Sequence, residues 1–329
     1  MPDMAKLTIA QALNQALEAA LMEDSAVVIL GEDVGKDGGV FRITDGLFEK
    51  FGGDRVIDTP LAESGIVGTS VGLAMAGMKP VAEIQFFGFI YETMDQIASQ
   101  AARVRFRSLG RYSAPMVIRA PFGGGVKAPE IHSDSLEALF THTPGIKVVV
   151  PSNPYDAKGL LLSAIDDPDP VLFLEPMRLY RAFRDEVPEE AYRVPLGKAS
   201  VVREGTDVTL IGWGPSMALV LAAADELVAQ YDIAPEVVDL RTLTPLDEET
   251  IVTSVQKTQR AVVVHEAVRT SGFGGEIAAL IQEKAFLYLE APVLRVTGYD
   301  TPYPMTMFED LWLPDTSQVV TAALSSVRF

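Results

Sequence analysis

At 329 residues, 48% of them apolar and with a formal net charge of −18, the chain is long enough for two domains and too acidic to neutralise the phosphates of a nucleic acid. It has no cysteine, which excludes disulfides, thiolate nucleophiles and cysteine-held zinc or clusters, and points to a reducing cytoplasm. No apolar run reaches the roughly 18 residues of a membrane span, and the start, MPDMAKLTIAQAL, has neither a signal-peptide nor an arginine-rich transit pattern.

Residues 7–24 alternate Ala/Leu clusters with Gln, Asn and Glu, a helical pattern with Thr8 as its cap. Residues 26–30 (AVVIL) form a continuous apolar run ending in Gly31-Glu32-Asp33, as in a buried parallel strand with acids at its carboxyl end. After a loop at Asp37-Gly38-Gly39, residues 55–58 read as the end of another short strand. Thr59-Pro60 then turns the chain, because proline fixes its own φ and biases its predecessor towards extended geometry. Glu63 therefore falls on the first turn of a helix, just beyond a strand's carboxyl end, where open α/β sheets hold ligands. The plain alternative is an acid that merely complements the helix dipole.

Along that helix Gly68, Gly72 and Ala76 recur at i, i+4 and i+8, so one face is nearly flat. Interior glycine costs roughly 0.5–1 kcal/mol against alanine, so a close helix crossing, at a subunit interface, is expected there. A strand at 78–86 and a helix at 91–109 follow, then a strand at 115–119 that runs into the loop APFGGG. PEIHSDS leads to a helical pattern ending at Phe140. Strands at 146–150 and 171–175 flank a helix at 154–165. Six strand–helix alternations by residue 175 spell a doubly wound, mostly parallel α/β sheet.

Residues 178–195 mix charges, aromatics and prolines without clean periodicity and read as a link. The alternation then restarts on a smaller scale, with strands at 208–212, 234–240, 261–266 and 293–297 and helices at 216–230, 247–256, 275–286 and 318–327. The expected division is one domain over residues 1–190 and a smaller α/β carboxy-terminal domain over 191–329.

Gly272-Phe273-Gly274-Gly275 precedes a helix but has Ile277 where GxGxxG needs its last glycine, and Gly123–Gly125 is followed by no GK[ST]. Nicotinamide and nucleoside-triphosphate sites are therefore disfavoured. Of three histidines, His142 sits in a turn and His265 ends a strand, each readable as an ordinary polar residue at an element's edge. His132, between a glycine loop and a helix start, shares the sheet edge expected for Glu63 and can exchange protons near neutral pH. The run EIQFFGFIYE (83–92) would emerge at the same edge, and its flat aromatic faces suit either a core or a stacked heterocycle.

GEDVG, TPLAESGIVG, EIQFFGFIYETMDQI, PEIHSDSLE, PSNPYDAKGLL and VVDLRTLTPLD together resemble the β subunit of the thiamine-diphosphate-dependent, decarboxylating first component of 2-oxo acid dehydrogenase complexes. The resemblance covers nearly the whole chain in order, and the bacterial pyruvate-type subunit is nearest. It implies a transketolase-like fold, with a pyrimidine-binding domain followed by a transketolase-type carboxy-terminal domain. Glu63 would hydrogen-bond the aminopyrimidine ring of thiamine diphosphate and assist proton removal from the thiazolium carbon. Phe89 would stack on the aminopyrimidine, with Leu61, Gln85 and Glu92 at neighbouring contact positions. His132 would serve reductive acylation of the lipoyl group. Some members also hold a structural potassium ion, whose ligand positions correspond to Met116, Ala164, Ile165, Asp167 and Asp169, largely through backbone carbonyls.

Thiamine enzymes bind Mg²⁺ and the diphosphate through Gly-Asp-Gly and a later Asn, and no GDG occurs here. In the family the α subunit supplies that half, so an α₂β₂ heterotetramer is implied. Phe329 and the acidic carboxy-terminal domain would dock a basic module of the acyltransferase core. Rivals are a single-chain transketolase, disfavoured by length and the missing GDG, a branched-chain 2-oxo acid or acetoin dehydrogenase β subunit, and a non-catalytic scaffold subunit.

Overall fold

The computed structural model describes residues 3–128 and 130–329, so Pro129 of the PEIHSDSLE motif lies outside the described residues. β1 (Met4–Leu7) leads into α1 (Ile9–Glu23), which Thr8 starts through a reciprocal capping box with Gln11. The fully buried β2 (Val27–Gly31), the short α2 (Leu47–Phe51) and β3 (Val56–Asp58) follow. The Thr59-Pro60 turn delivers α3 (Glu63–Met75), with Glu63 in its first turn, and β4 (Lys79–Glu83) comes next.

The helix expected over 91–109 is broken into a 3₁₀ segment (Phe87–Thr93), a π-helical turn (Asp95–Gln100), a second 3₁₀ turn (Ala101–Arg103) and the short α4 (Val104–Arg107). The side chains explain the break. A period of three puts Phe87, Ile90 and Thr93 on one buried face and leaves Phe86 and Phe89 half-buried and outside it. The wider π turn then resets the phase, so that Ile97, Ala101 and Val104 stay buried.

β5 (Val117–Phe122), α5 (Glu137–Thr141) and β6 (Lys147–Val149) precede α6 (Pro154–Asp166), which combines an Asn153 cap with proline in the first turn. β7 (Val171–Pro176) closes this half. The stretch read as a featureless link contains β8 (Asp185–Pro188), antiparallel to β1. That pair was hidden from the sequence because each strand is four residues long and its partner lies nearly the whole half-chain away.

The second half runs β9 (Ser200–Arg203), β10 (Val208–Gly212), α7 (Ser216–Tyr231), β11 (Pro235–Asp239), β12 (Thr242–Thr244), α8 (Glu248–Thr258), β13 (Ala261–Val268), α9 (Phe273–Ala285), β14 (Leu294–Gly298), α10 (Glu309–Trp312) and α11 (Thr316–Val327). A seven-stranded sheet of order β12-β6-β7-β5-β4-β2-β3 is parallel except for β12, which comes from the second half. A five-stranded sheet of order β14-β13-β10-β11-β9 is parallel except for its β9 edge. One hydrophobic core joins Ile118, Leu172 and Leu174 of the first sheet to Ile211, Val238 and Val263 of the second, with Trp213 between them. The two sheets are therefore welded by apolar burial, and loops at their junction are held from both sides.

Candidate active site

The residues singled out from the sequence gather at one carboxyl edge of the larger sheet. Glu32 and Asp33 follow β2, Glu63 opens α3 after β3, Gln85 and Phe89 follow β4, and the glycine loop leading to His132 follows β5. Glu63 is only 6% exposed, and its carboxylate makes no hydrogen bond or ion pair with any other described residue. Neither carboxylate oxygen is sealed off completely from solvent, so the group is open to a donor brought by a ligand. Its charged neighbour is Glu32, whose pKa is raised by burial first and then by Asp33 and Glu63. Glu32 is thus the acid that interacts with Glu63. Glu92 is exposed on the Phe87–Thr93 turn.

Gln85 donates from Nε2 to Asp33 Oδ2 at 3.3 Å, tying the β4 and β2 ends together. His132 lies edge-on to Phe86 and Phe89, with ring centroids 4.5 and 5.0 Å away, and its Nδ1 is buried without a partner among the described residues. α3 packs on the Phe87–Thr93 turn, which packs on the Glu130–His132 turn, so Glu63, Phe89 and His132 sit on three successive contacting elements. Gly88 permits the second contact, since a Cβ there would overlap the Ile131 carbonyl. Leu61 is 71% exposed just before Glu63.

Beneath this edge lies a network that sequence reasoning missed. Arg119 on β5 pairs bidentately with Glu175 on β7, at 2.6 and 3.1 Å, and donates to Glu83 on β4 at 2.8 Å. Tyr180 donates to Glu175 at 2.5 Å. Burial pulls the Arg119 pKa down, but Glu175 and Glu83 outweigh it and leave the pKa raised, so the guanidinium stays charged. Glu83 is raised by burial despite its arginine. Only the strand register, with Glu83 opposite Arg119, brings these groups together, and register is not written in any one strand.

The positions implied for potassium fall around one loop. The Met116 carbonyl accepts from Val171 N at 2.9 Å and the Ala164 carbonyl from Asp167 N at 3.3 Å. Asp167 holds Lys147 at 2.6 Å and Asp169 holds Arg105 at 2.5 Å, so both carboxylates already have cationic partners. Among the described residues no group of three acids, histidines or cysteines is placed to hold a metal ion. Any ion here would rest on carbonyl oxygens.

The chain matches the models for the transketolase pyrimidine-binding domain over residues 5–182 and the transketolase carboxy-terminal domain over 197–319. It is 56% identical over 326 residues to the pyruvate dehydrogenase E1 component subunit beta of Bacillus subtilis, and 54% identical over 327 residues to that of Staphylococcus epidermidis. Each alignment covers 99% of this chain and all of the relative. The chain belongs to the pyruvate dehydrogenase E1 β-subunit family. The fold is also that of a solved split-gene transketolase, an inactive β₄ tetramer, with a TM-score of 0.79 at 25% identity over 98% of this chain and 99% of the other. For an E1 β-type chain the Glu63 carboxylate, unpartnered among the described residues, is the observation that fits thiamine diphosphate, because an aminopyrimidine protonated on its ring nitrogen offers a carboxylate an N–H donor.

Proposed function

We propose that this chain is the β subunit of a pyruvate dehydrogenase E1 enzyme, active with an α subunit in an α₂β₂ assembly and passing acyl groups to the lipoyl arms of an acyltransferase core. Residues 1–190 serve as the pyrimidine-binding half and 191–329 as the carboxy-terminal domain. Thiamine diphosphate, when bound, supplies the electron sink for decarboxylation of the 2-oxo acid, and its Mg²⁺ is held by the α subunit. Glu63 would accept a hydrogen bond from the protonated ring nitrogen of the aminopyrimidine and so favour the ring form that carries that proton. Phe89 offers that ring an aromatic face, with Leu61, Gln85 and Glu92 bordering it. His132, with a free Nδ1 against Phe86 and Phe89, exchanges the proton needed when the acyl group moves to the lipoyl sulfur.

The observation that carries this reading is Glu63, a carboxylate at the head of α3 with no donor among the described residues. The experiment is reconstitution with the α chain and assay on pyruvate against branched-chain 2-oxo acids. Pyruvate turnover is expected to dominate, and equal or greater branched-chain turnover would reassign the substrate. Potassium is proposed only as a carbonyl-held ion at Met116, Ala164, Ile165, Asp167 and Asp169. A higher unfolding temperature in potassium than in choline chloride at equal ionic strength would support it, and identical curves would remove it. The exposed face of α3 is proposed to meet a partner subunit. No helix of the described structure is long and apolar enough to cross a membrane, and we place the enzyme in the cytoplasm.

A further inference from the structure

The glycine loop after β5, which leads to His132, is fastened chiefly from the second half of the chain. Gly124 N donates to Glu266 Oε2 at 3.1 Å, and Lys127 N donates to both oxygens of Glu309, at 3.2 and 3.1 Å. Glu309 is fully buried and accepts from the Tyr303 hydroxyl at 2.7 Å. That hydroxyl packs so closely on Gly124 that a Cβ there would overlap it, and Ser133, next to His132, lies against it too. Thr306 donates to the Lys127 carbonyl at 3.3 Å, and Lys127 Nζ pairs with Asp310 at 3.0 Å. Lys127 itself has a φ of +56°, a conformation a lysine rarely adopts unless its neighbours hold it.

A buried carboxylate that takes both a backbone N–H and a tyrosine hydroxyl is a rigid anchor, because charge-assisted hydrogen bonds are the stronger kind. The anchor comes from the segment 303–309, whereas the part it holds carries a group needing accurate placement. We propose that Glu309 and Tyr303 are positioning residues for His132. The carboxy-terminal domain clamps the glycine loop through them and so tunes acyl transfer to the lipoyl arm while leaving decarboxylation, centred on Glu63, largely alone. The proposal rests on the reading of His132 as the acyl-transfer residue.

The test uses holoenzyme reconstituted with the α chain and carrying Glu309→Ala, Glu309→Gln, Tyr303→Phe or, in parallel, His132→Ala. Decarboxylation is followed with an artificial electron acceptor and reductive acylation with a free lipoyl domain. Hydrogen exchange is measured on the amides of residues 123–128 and 130–132. Losing the charge-assisted bonds from Lys127 N and the Tyr303 hydroxyl sets the scale, so Glu309→Ala is expected to speed exchange in the loop and to slow acylation about tenfold or more, with decarboxylation within about twofold. Tyr303→Phe should act in the same direction but less strongly. Glu309→Gln, whose amide oxygen still accepts from Lys127, should recover most of both properties. Loss of acylation in His132→Ala but not in Glu309→Ala overturns the clamp and spares the His132 reading. Full acylation in His132→Ala overturns both. Equal loss of the two activities in Glu309→Ala, or slower acylation without faster loop exchange, also overturns the proposal.

Discussion

On the proposed reading Glu63 is where one residue does most for the chemistry. Glu63→Gln keeps the size and burial of the side chain but removes the charge that retains a ring proton. Activity of the reconstituted enzyme should fall ~10²–10⁴-fold, the usual worth of proton-transfer assistance, with the unfolding temperature little changed. Activity within threefold of wild type would remove Glu63 from the role. Its place was legible because a proline turn and a strand end are local signals. Glu137 was not, because its burial is made by Trp213 of the other half, whose indole Nε1 donates to it at 3.4 Å. Burial raises the Glu137 pKa to about 7, while burial lowers that of His265, stacked on the Trp213 ring, to about 3. The native state keeps a proton on Glu137 that the unfolded chain has released, so this group costs stability as pH rises from the ordinary carboxylate range to about 7. His265 has the opposite slope and stops contributing above its ordinary pKa of about 6.5. Glu137→Gln should therefore raise stability at pH 8, by up to ~3 kcal/mol, and change it much less at pH 5. Equal shifts of the urea midpoint at the two pH values would show that Glu137 is ionised throughout.

At the scale of elements, period and capping carried the reading where burial is one-sided. Thr8, read as a cap, does start α1, whereas α5 starts from Leu136 with no side-chain cap; Asn153, Asp247 and Asp315 cap helices whose caps the reading did not name. The reading failed over residues 87–107, where the chain changes helical period to serve both a core and an aromatic edge. Within the chain the glycine face of α3 is only partly covered. Gly68 faces Gln96 of the same domain, a Cβ there meeting its side chain at 3.5 Å, but at Gly72 there is nothing within 4 Å and Ala76 is exposed. This gives Gly72→Leu two effects of opposite sign. An exposed helix interior gains ~0.8 kcal/mol when leucine replaces glycine, so the isolated chain should unfold slightly later. Assembly with the α chain should weaken, since overpacking a tight crossing typically costs ~1–3 kcal/mol. Sedimentation equilibrium with and without the α chain checks both signs, and undiminished assembly would assign the bare face to solvent.

On the proposed reading the whole molecule is half of a site. Its two sheets share one core, and a strand of the second half extends the first sheet, so the carboxyl edge that bears Glu63, Phe89 and His132 is already held rigid before any partner arrives. What the pre-formed edge offers is neutral or acidic: a carboxylate for a ring nitrogen, aromatic faces, and a histidine. The diphosphate of the cofactor is its most strongly charged part, and its neutralisation by a bound cation should dominate affinity. With no GDG in the chain and a net charge of −18, that neutralisation has to come from elsewhere. Purified alone, the chain should fold, bind thiamine diphosphate weakly in the presence of Mg²⁺, and show no decarboxylation. Adding the α chain should create tight binding at two cofactors per α₂β₂ assembly. Calorimetry of the isolated chain, then of the mixture, separates the cases. Stoichiometric tight binding and turnover by the isolated chain would mean that its own residues hold the diphosphate, and the split-site reading would fall.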